Sequence, residues 1–311
     1  MFSRRPRWAA LAALSTAVLA AVPLGACSAA GALDLAPPNV PFPTLGGRQL
    51  WSDVRWRSGW RVQRHAWTGH HRLLDDAGVR RAWGGLDHCE EALARRAPEV
   101  ADGTHLVLLL HGFGRSRSSL AGLERSLEER GFTTVRTSSP TLQTGMGGQV
   151  ANLEALLNHL PPQVERVSFV THSLGGRIAG EILEREGAGW RSRIEVGGLV
   201  MLAPPNRGSS LARRVTGVPV LGLLAPQTLR ELAVPRDAPI AAAPTAVIAA
   251  RRGSRFGWNP LVPGDDDGVV SVWETDVVGA QSLHVRASHT FLMDHRAVAP
   301  AVERFLREGA L

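Results

Sequence analysis

Apolar and polar positions change their period several times along this chain, and each change marks an element. Residues 105–110 are continuously apolar after one histidine, the pattern of a parallel strand covered on both faces. Shorter runs of the same kind stand at 133–137, 167–171, 196–202, 245–250 and 282–286. Between them, apolar residues three or four apart predict helices over 116–130, 148–160 and 177–186, and a last one from about 295 to 307. Strands alternating with helices predict an α/β fold, a mostly parallel, doubly wound sheet with right-handed crossovers. Segment 209–239 breaks this rhythm with leucines among prolines and glycines. It reads as a small cap of short helices. A strand-like run at 269–273 precedes the last strand.

Upstream the pattern differs. Residues 50–83 carry Trp51, Trp56, Trp60, Trp67 and Trp83 among many arginines. Short strands are expected at 60–64, 71–74 and 79–83, with a turn at Asp75-Asp76-Ala77-Gly78. Asp87 is expected to cap a helix running through Arg96. The unit reads as a small β-meander packed on the main domain, its tryptophans filling the contact. The competing reading is a Trp/Arg surface at a membrane interface. His70, His71 and His88 have no cysteine or carboxylate partners at ligand spacing, so no metal site is expected there.

The first residues read as an address. Arg4, Arg5 and Arg7 precede an alanine-rich apolar run over 8–24, the build of a secretory signal. Leu24-Gly25-Ala26-Cys27 follows and resembles a bacterial lipobox, which implies lipidation of Cys27. Ordinary cleavage near Ser28 or Ala30, or retention as a short membrane anchor, are the alternatives. Ser28 is not the aspartate that resembles an inner-membrane retention signal. The expected organisation is a signal at 1–27, a Pro/Gly/Ala-rich tether at 28–48, a Trp-rich unit at 49–100 and the main domain at 101–311, its cap at 209–239. An exported protein tethered to the cell envelope is expected, with Cys89 left without a disulfide partner.

Composition adds little to the fold and something to partners. The chain has 311 residues, 44% of them hydrophobic, and a net charge of +7. All its basic residues are arginine, scattered among acids. Without a clustered basic face, nucleic acid is not an expected partner. An anionic membrane surface suits the charge better.

The candidate chemistry centres on Thr171-His172-Ser173-Leu174-Gly175-Gly176. A strand turning sharply into a helix exposes one hydroxyl at the strand's carboxyl end, the nucleophile-elbow logic of G-x-S-x-G. Thr171 replaces the first glycine. Ser173 is the candidate nucleophile and needs a base. His289 follows the last strand, at the sheet edge where ligands bind. Asp267 lies in the loop before it and would orient the imidazole. Asp265 and Asp266 compete as the acid, and His284 and His295 as the base. His172 is expected to point away from the hydroxyl. Backbone N–H groups of Leu174 and of Phe113, in the His111-Gly112-Phe113-Gly114 turn, would form an oxyanion hole. The order Ser, Asp, His and the placement at strand ends together indicate acyl transfer.

These blocks, with Asp267-Gly268-Val269-Val270-Ser271-Val272 and Ser288-His289-Thr290-Phe291-Leu292-Met293, resemble bacterial α/β-hydrolases of the lipase/esterase type. Ala203-Pro204-Pro205-Asn206-Arg207-Gly208 resembles the loop after the sixth strand of such proteins. The resemblance spans about 104–311. It implies an α/β-hydrolase fold and a carboxylic-ester hydrolase with no cofactor, acting on ester or lipid substrates. The rival readings are a lipid acyltransferase, thioesterase or amidase on the same residues, and a non-catalytic envelope lipoprotein.

Overall fold

A computed structural model describes residues 49–185 and 187–311. The expected signal, the lipidation site Cys27 and the tether at 28–48 lie outside the described residues. Among the described residues no helix is long and apolar enough to cross a membrane.

The chain begins with four antiparallel strands in sequential order: β1 (Trp51–Arg57), β2 (Trp60–His65), β3 (His71–Leu74) and β4 (Arg80–Gly84). Helix α1 (Leu86–Arg96) closes this sheet, its Cys89, Ala92 and Leu93 packing on Val54, Val62 and Leu73. Burial pushes the Cys89 thiol up to about 11. Two details depart from the sequence expectation. β1 was not foreseen, because Ser52, Asp53 and Arg55 interrupt its apolar positions, yet all three are buried. Asp87 lies in the first turn of α1, whose N-cap is Gly85.

The second sheet holds six parallel strands in the order β10-β9-β8-β7-β5-β6. In chain order these are β5 (Thr104–Leu110), β6 (Thr133–Arg136), β7 (Val164–His172), β8 (Glu195–Leu202), β9 (Thr245–Arg251) and β10 (Gln281–Arg286). Side chains alternate across it, as the two-residue period of a strand demands. Leu106, Leu108 and Leu110 join one core with α3 (Met146–Asn158) and α4 (Leu174–Glu184). Val107 and Leu109 join the other with α2 (Ala121–Glu128) and α8 (Val298–Glu308). Both faces are therefore covered, which is why β5 reads as a continuous apolar run.

Some boundaries differ. The helix expected over 116–130 is a 3₁₀ turn, Arg117–Leu120, followed by α2. The last helix starts at Val298, because His289–Asp294 forms its own 3₁₀ turn and His295 follows as that turn's cap. The run at 269–273 is not a strand. The Asp267 carboxylate accepts from Val269 N (3.0 Å) and Val270 N (2.7 Å), which withdraws those donors from any ladder. Ser271 then caps a short 3₁₀ turn, Val272–Thr275, in a reciprocal capping box with Glu274. Segment 209–239 holds three short helices: α5 (Ser210–Thr216), α6 (Pro219–Leu224) and α7 (Gln227–Leu232).

The two sheets share packing. Trp56 of β1 is only 4% exposed and belongs to the core of the parallel sheet, with Val135, Leu153 and Leu156. Asn152 of α3 donates to Ser52 Oγ (2.8 Å) and accepts from Arg64 (2.6 Å). Trp56→Ala is expected to cost about 3–5 kcal/mol and to destabilise both sheets together. Urea unfolding followed by far- and near-UV circular dichroism checks this; two separate transitions in the wild type would contradict it.

Candidate active site

Ser173 sits between β7 and α4 with φ 54° and ψ −122°. A non-glycine residue at positive φ is strained, and here neighbouring contacts hold it. Ser173 N donates to Leu202 O of β8 (2.8 Å), and Gly176 N donates to Ser173 O (2.9 Å). The helix passes very close to the sheet. A Cβ on Gly175 would stand 2.6 Å from Leu110 O, and one on Gly176 2.9 Å from Pro204 Cβ. Both positions therefore require glycine.

Thr171 fits without widening the bend. Its hydroxyl donates to Val200 O (3.2 Å), and its side chain faces the bare Cα of Gly176. Thr171 is fully buried.

His289 is tied to Asp267 twice. His289 N donates to Asp267 O (2.8 Å), and its ring Nδ1 to Asp267 Oδ2 (2.7 Å). The other carboxylate oxygen is held by the Val269 and Val270 amides. Asp267 is thus buried with both oxygens satisfied. It fixes a proton on Nδ1, which leaves Nε2 as the free ring acceptor.

The competing aspartates have other partners. Asp266 accepts from Trp258 N, Asn259 N and Gly268 N at 2.6–3.4 Å, and Gly257 leaves room for it where any Cβ would overlap its carboxylate. Asp265 accepts from Arg252 N and Gly253 N. Both organise the loop that presents Asp267. His284 is exposed on β10. His295 accepts from Ala297 N (3.3 Å).

Ser173 and His289 line one cavity of about 310 Å³ with Phe113, Leu211, Val215 and Leu229 among its walls. The Ser173 hydroxyl has no hydrogen-bond partner among the described residues. A nucleophile–base hydrogen bond is commonly loose or unmade before substrate binds. Leu174 N is the first amide of α4 and has no intrahelical partner. Phe113 N is likewise unengaged among the described residues. Phe113 lines the cavity that holds Ser173, and Leu174 follows Ser173 directly in the chain.

Sequence reasoning missed three supports. His172 packs against the base: its ring centroid lies 4.6 Å from that of His289, and its Nε2 lies 3.0 Å from His289 O. Complete burial, then the facing His289, hold its pKa well below the ordinary value. It therefore stays neutral beside a histidine that gains charge when it takes a proton. Gln49, ahead of β1, bonds Arg115 O and accepts from Thr141 Oγ1 (3.1 Å) and Leu142 N (3.0 Å). Thr141 Oγ1 in turn accepts from Gly114 N (3.0 Å), so the N-terminal unit braces the turn that carries Phe113. Glu274, fully buried, accepts from Ser210 N (2.6 Å) and Ser271 N (2.9 Å). It joins the acid loop to the start of α5. His172, Gln49 and the Glu274–Ser210 bond act across long sequence separations; only the Ser271–Glu274 capping box leaves a local signal.

The fold is a six-stranded parallel α/β sheet covered by helices on both faces, with its candidate serine at the turn after a central strand. No protein-family model matches the chain, and no curated protein sequence matches it. Similar solved structures include the mature lipase BlEst2 of Bacillus licheniformis, at 16% identity and a TM-score of 0.49, covering 68% of this chain and 94% of that one. Another is a pyrethroid hydrolase of Sphingobium faniae, at 14% identity and a TM-score of 0.44, covering 66% and 98%. A hydrolase of Oleispira antarctica gives 14% and 0.45, covering 67% and 93%. These likenesses carry no chemistry over to this chain.

Acidification is expected to weaken the fold through His172 and His111. Burial lowers the pKa of both below 6.5. As pH falls through 6.5 the unfolded chain takes up protons that the folded chain refuses. Their contribution is full above pH 6.5 and is lost toward the depressed folded values, at up to ~1.4 kcal/mol per pH unit for each ring. Denaturant midpoints measured from pH 7.5 to 5 should fall, and His172→Gln should flatten that slope. An unchanged slope would contradict the buried neutral state.

Proposed function

We propose that this protein is a serine hydrolase that cleaves carboxylic esters through an acyl-enzyme. The observation that carries this reading is the buried Asp267–His289 bond at 2.7 Å, on the cavity that also receives the strained Ser173. Ser173 Oγ attacks the ester carbonyl as His289 Nε2 takes its proton. The amides of Phe113 and Leu174 donate to the oxyanion, which in a water-poor site is worth several kcal/mol, about 2.7–4 for one donor. His289 then protonates the leaving alcohol. Water, deprotonated by the same ring, releases the acid. This sequence of steps draws on no cofactor.

The proposed substrate has an apolar acyl part, since aliphatic side chains dominate the cavity walls. A lipid ester taken from a membrane surface fits best. α6 supports this: none of its residues is buried, and Leu223 and Leu224 are 80% and 75% exposed. It packs on α5 where Gly222 crosses the Thr216 carbonyl, and α5 supplies the cavity wall through Leu211, Ala212 and Val215. Exposed Arg213 and Arg214 beside it have no ion-pair partner among the described residues, a charge suited to anionic lipid. Export with a lipid on Cys27 would hold the enzyme at such a surface in the cell envelope, facing the periplasm or the exterior.

Ser173→Ala should lower kcat on a short-chain nitrophenyl ester by about 10⁶-fold and abolish fluorophosphonate labelling; a wild-type rate would overturn the proposal. Asp267→Asn should cost about 10⁴-fold, whereas Asp266→Asn should lower Tm more than it alters the rate per folded molecule. The reverse pattern would reassign the acid.

Leu223→Glu should slow hydrolysis of emulsified or vesicle-borne esters while leaving the soluble ester unaffected. Equal loss on both substrates would argue against a lipid surface.

A further inference from the structure

A second cavity, also of about 310 Å³, shares no lining residue with the Ser173 site. It lies where β3 of the N-terminal sheet meets the 3₁₀ turn after β5 and the end of β6. Its charged lining is of one sign: Arg72, Arg117 and Arg136. The hydroxyls of Ser116, Ser118 and Ser138 add polar groups.

The three guanidinium groups differ in their bonding. Arg72 donates through Nε and Nη2 to Gln63 Oε1 at 2.9 and 2.8 Å, and its plane lies over the Trp51 ring at 3.9 Å. It is held firmly by a neutral acceptor and a ring, with Asp53 the carboxylate that acts on its charge from a distance. Arg136 pairs with Glu124 and also donates to Arg117 O (3.3 Å). The Arg117 guanidinium has no hydrogen-bond or ion-pair partner among the described residues. The nearest buried carboxylate, Asp53, is already engaged. It accepts from Gln63 Nε2 (2.7 Å) and Ser138 N (2.8 Å), with Arg61 at 3.8 Å.

Positive charge therefore outweighs negative around this space. Arg61 acts on Arg117, so Arg61, Arg72, Arg117 and Arg136 stand against Asp53 and Glu124. Burial, together with Arg80 and Arg117, brings the Arg72 pKa down to about 10. Like charges gathered in a partly dry cavity cost free energy unless an anion joins them.

We infer that this cavity is a binding site for a phosphoryl group, carried by a soluble phosphate monoester or by a phospholipid headgroup. Planar guanidinium forks match the several oxygens of a phosphoryl group, and a carboxylate would engage only one of them in full. The volume holds about ten waters at ~30 Å³ each, so a bare ion would leave room for an attached organic group. The site lies apart from Ser173 and does not depend on the proposed ester chemistry.

Inorganic phosphate titrated into the full chain at constant ionic strength should raise Tm saturably, by a few degrees. Arg72→Gln and Arg117→Gln should each remove that shift, and Arg213→Gln, far from the cavity, should keep it. Because Arg117 has no partner to lose, Arg117→Gln should leave the unliganded Tm equal or higher; a purely structural arginine would lower it. Ser173→Ala should retain the shift, which separates this outcome from the fate of the hydrolase reading. Hydrogen–deuterium exchange over 116–120 then distinguishes the sources. Protection by glycerol phosphate alone assigns a soluble ester. Additional protection on phosphatidic acid vesicles, absent on phosphatidylcholine and reversed by phosphate, assigns a headgroup. No saturable shift in the wild type, a shift matched by chloride, or a shift that survives Arg117→Gln would overturn the site.

Discussion

The candidate site depends on a backbone bend that an L-residue resists. Ser173 is held at φ 54°, a conformation that costs on the order of 1–3 kcal/mol. Hydrogen bonds to β8 and the first turn of α4 offset that cost, and two glycines permit the approach that makes those bonds. Gly175 lies against Leu110 O, the last residue of β5 before the His111–Gly114 turn. The bend that raises the hydroxyl and the turn that offers Phe113 N are thus in direct contact. A change in one strand's height would displace both.

The histidine side is built differently. His289 opens a 3₁₀ turn and Asp267 lies in a loop, where no ladder fixes them. Three carboxylates do that work instead: Asp267 gathers Val269 and Val270, Asp266 gathers Trp258, Asn259 and Gly268, and Glu274 ties the same loop to α5. Buried carboxylates that accept backbone N–H bonds are stable where unpaired ones are not. The Asp265-Asp266-Asp267 run is therefore one structural device whose three members face different ways.

The N-terminal sheet is joined to both features. Its tryptophan enters the main core, its leading Gln49 braces the Phe113 turn, and its Arg72 helps enclose an arginine-lined cavity. The strand that makes these junctions, β1, is the one the hydrophobic pattern failed to show. Ser52, Asp53 and Arg55 look like solvent-facing positions, yet their partners are Asn152, Gln63, Ser138 and Glu90. A buried polar residue is legible only with its partner, and most of these stand 35 to 100 residues away.

By itself the sequence determined the parallel α/β architecture, because covered strands and amphipathic helices have unmistakable periods. It also determined the short set of candidate residues, because Ser173, Phe113 and His289 follow strand ends, Leu174 opens a helix, and Asp267 stands in an Asp-Gly loop between Ser173 and His289 in chain order. Only the tertiary structure decided which of three adjacent aspartates meets His289, since neighbours one residue apart differ only in direction. It alone decided that His172 backs the base, that Gln49 and Glu274 brace the site, and that arginines from β3, β6 and the turn after β5 converge. Those relations rest on distances between segments far apart in the chain, and such distances have no local signature.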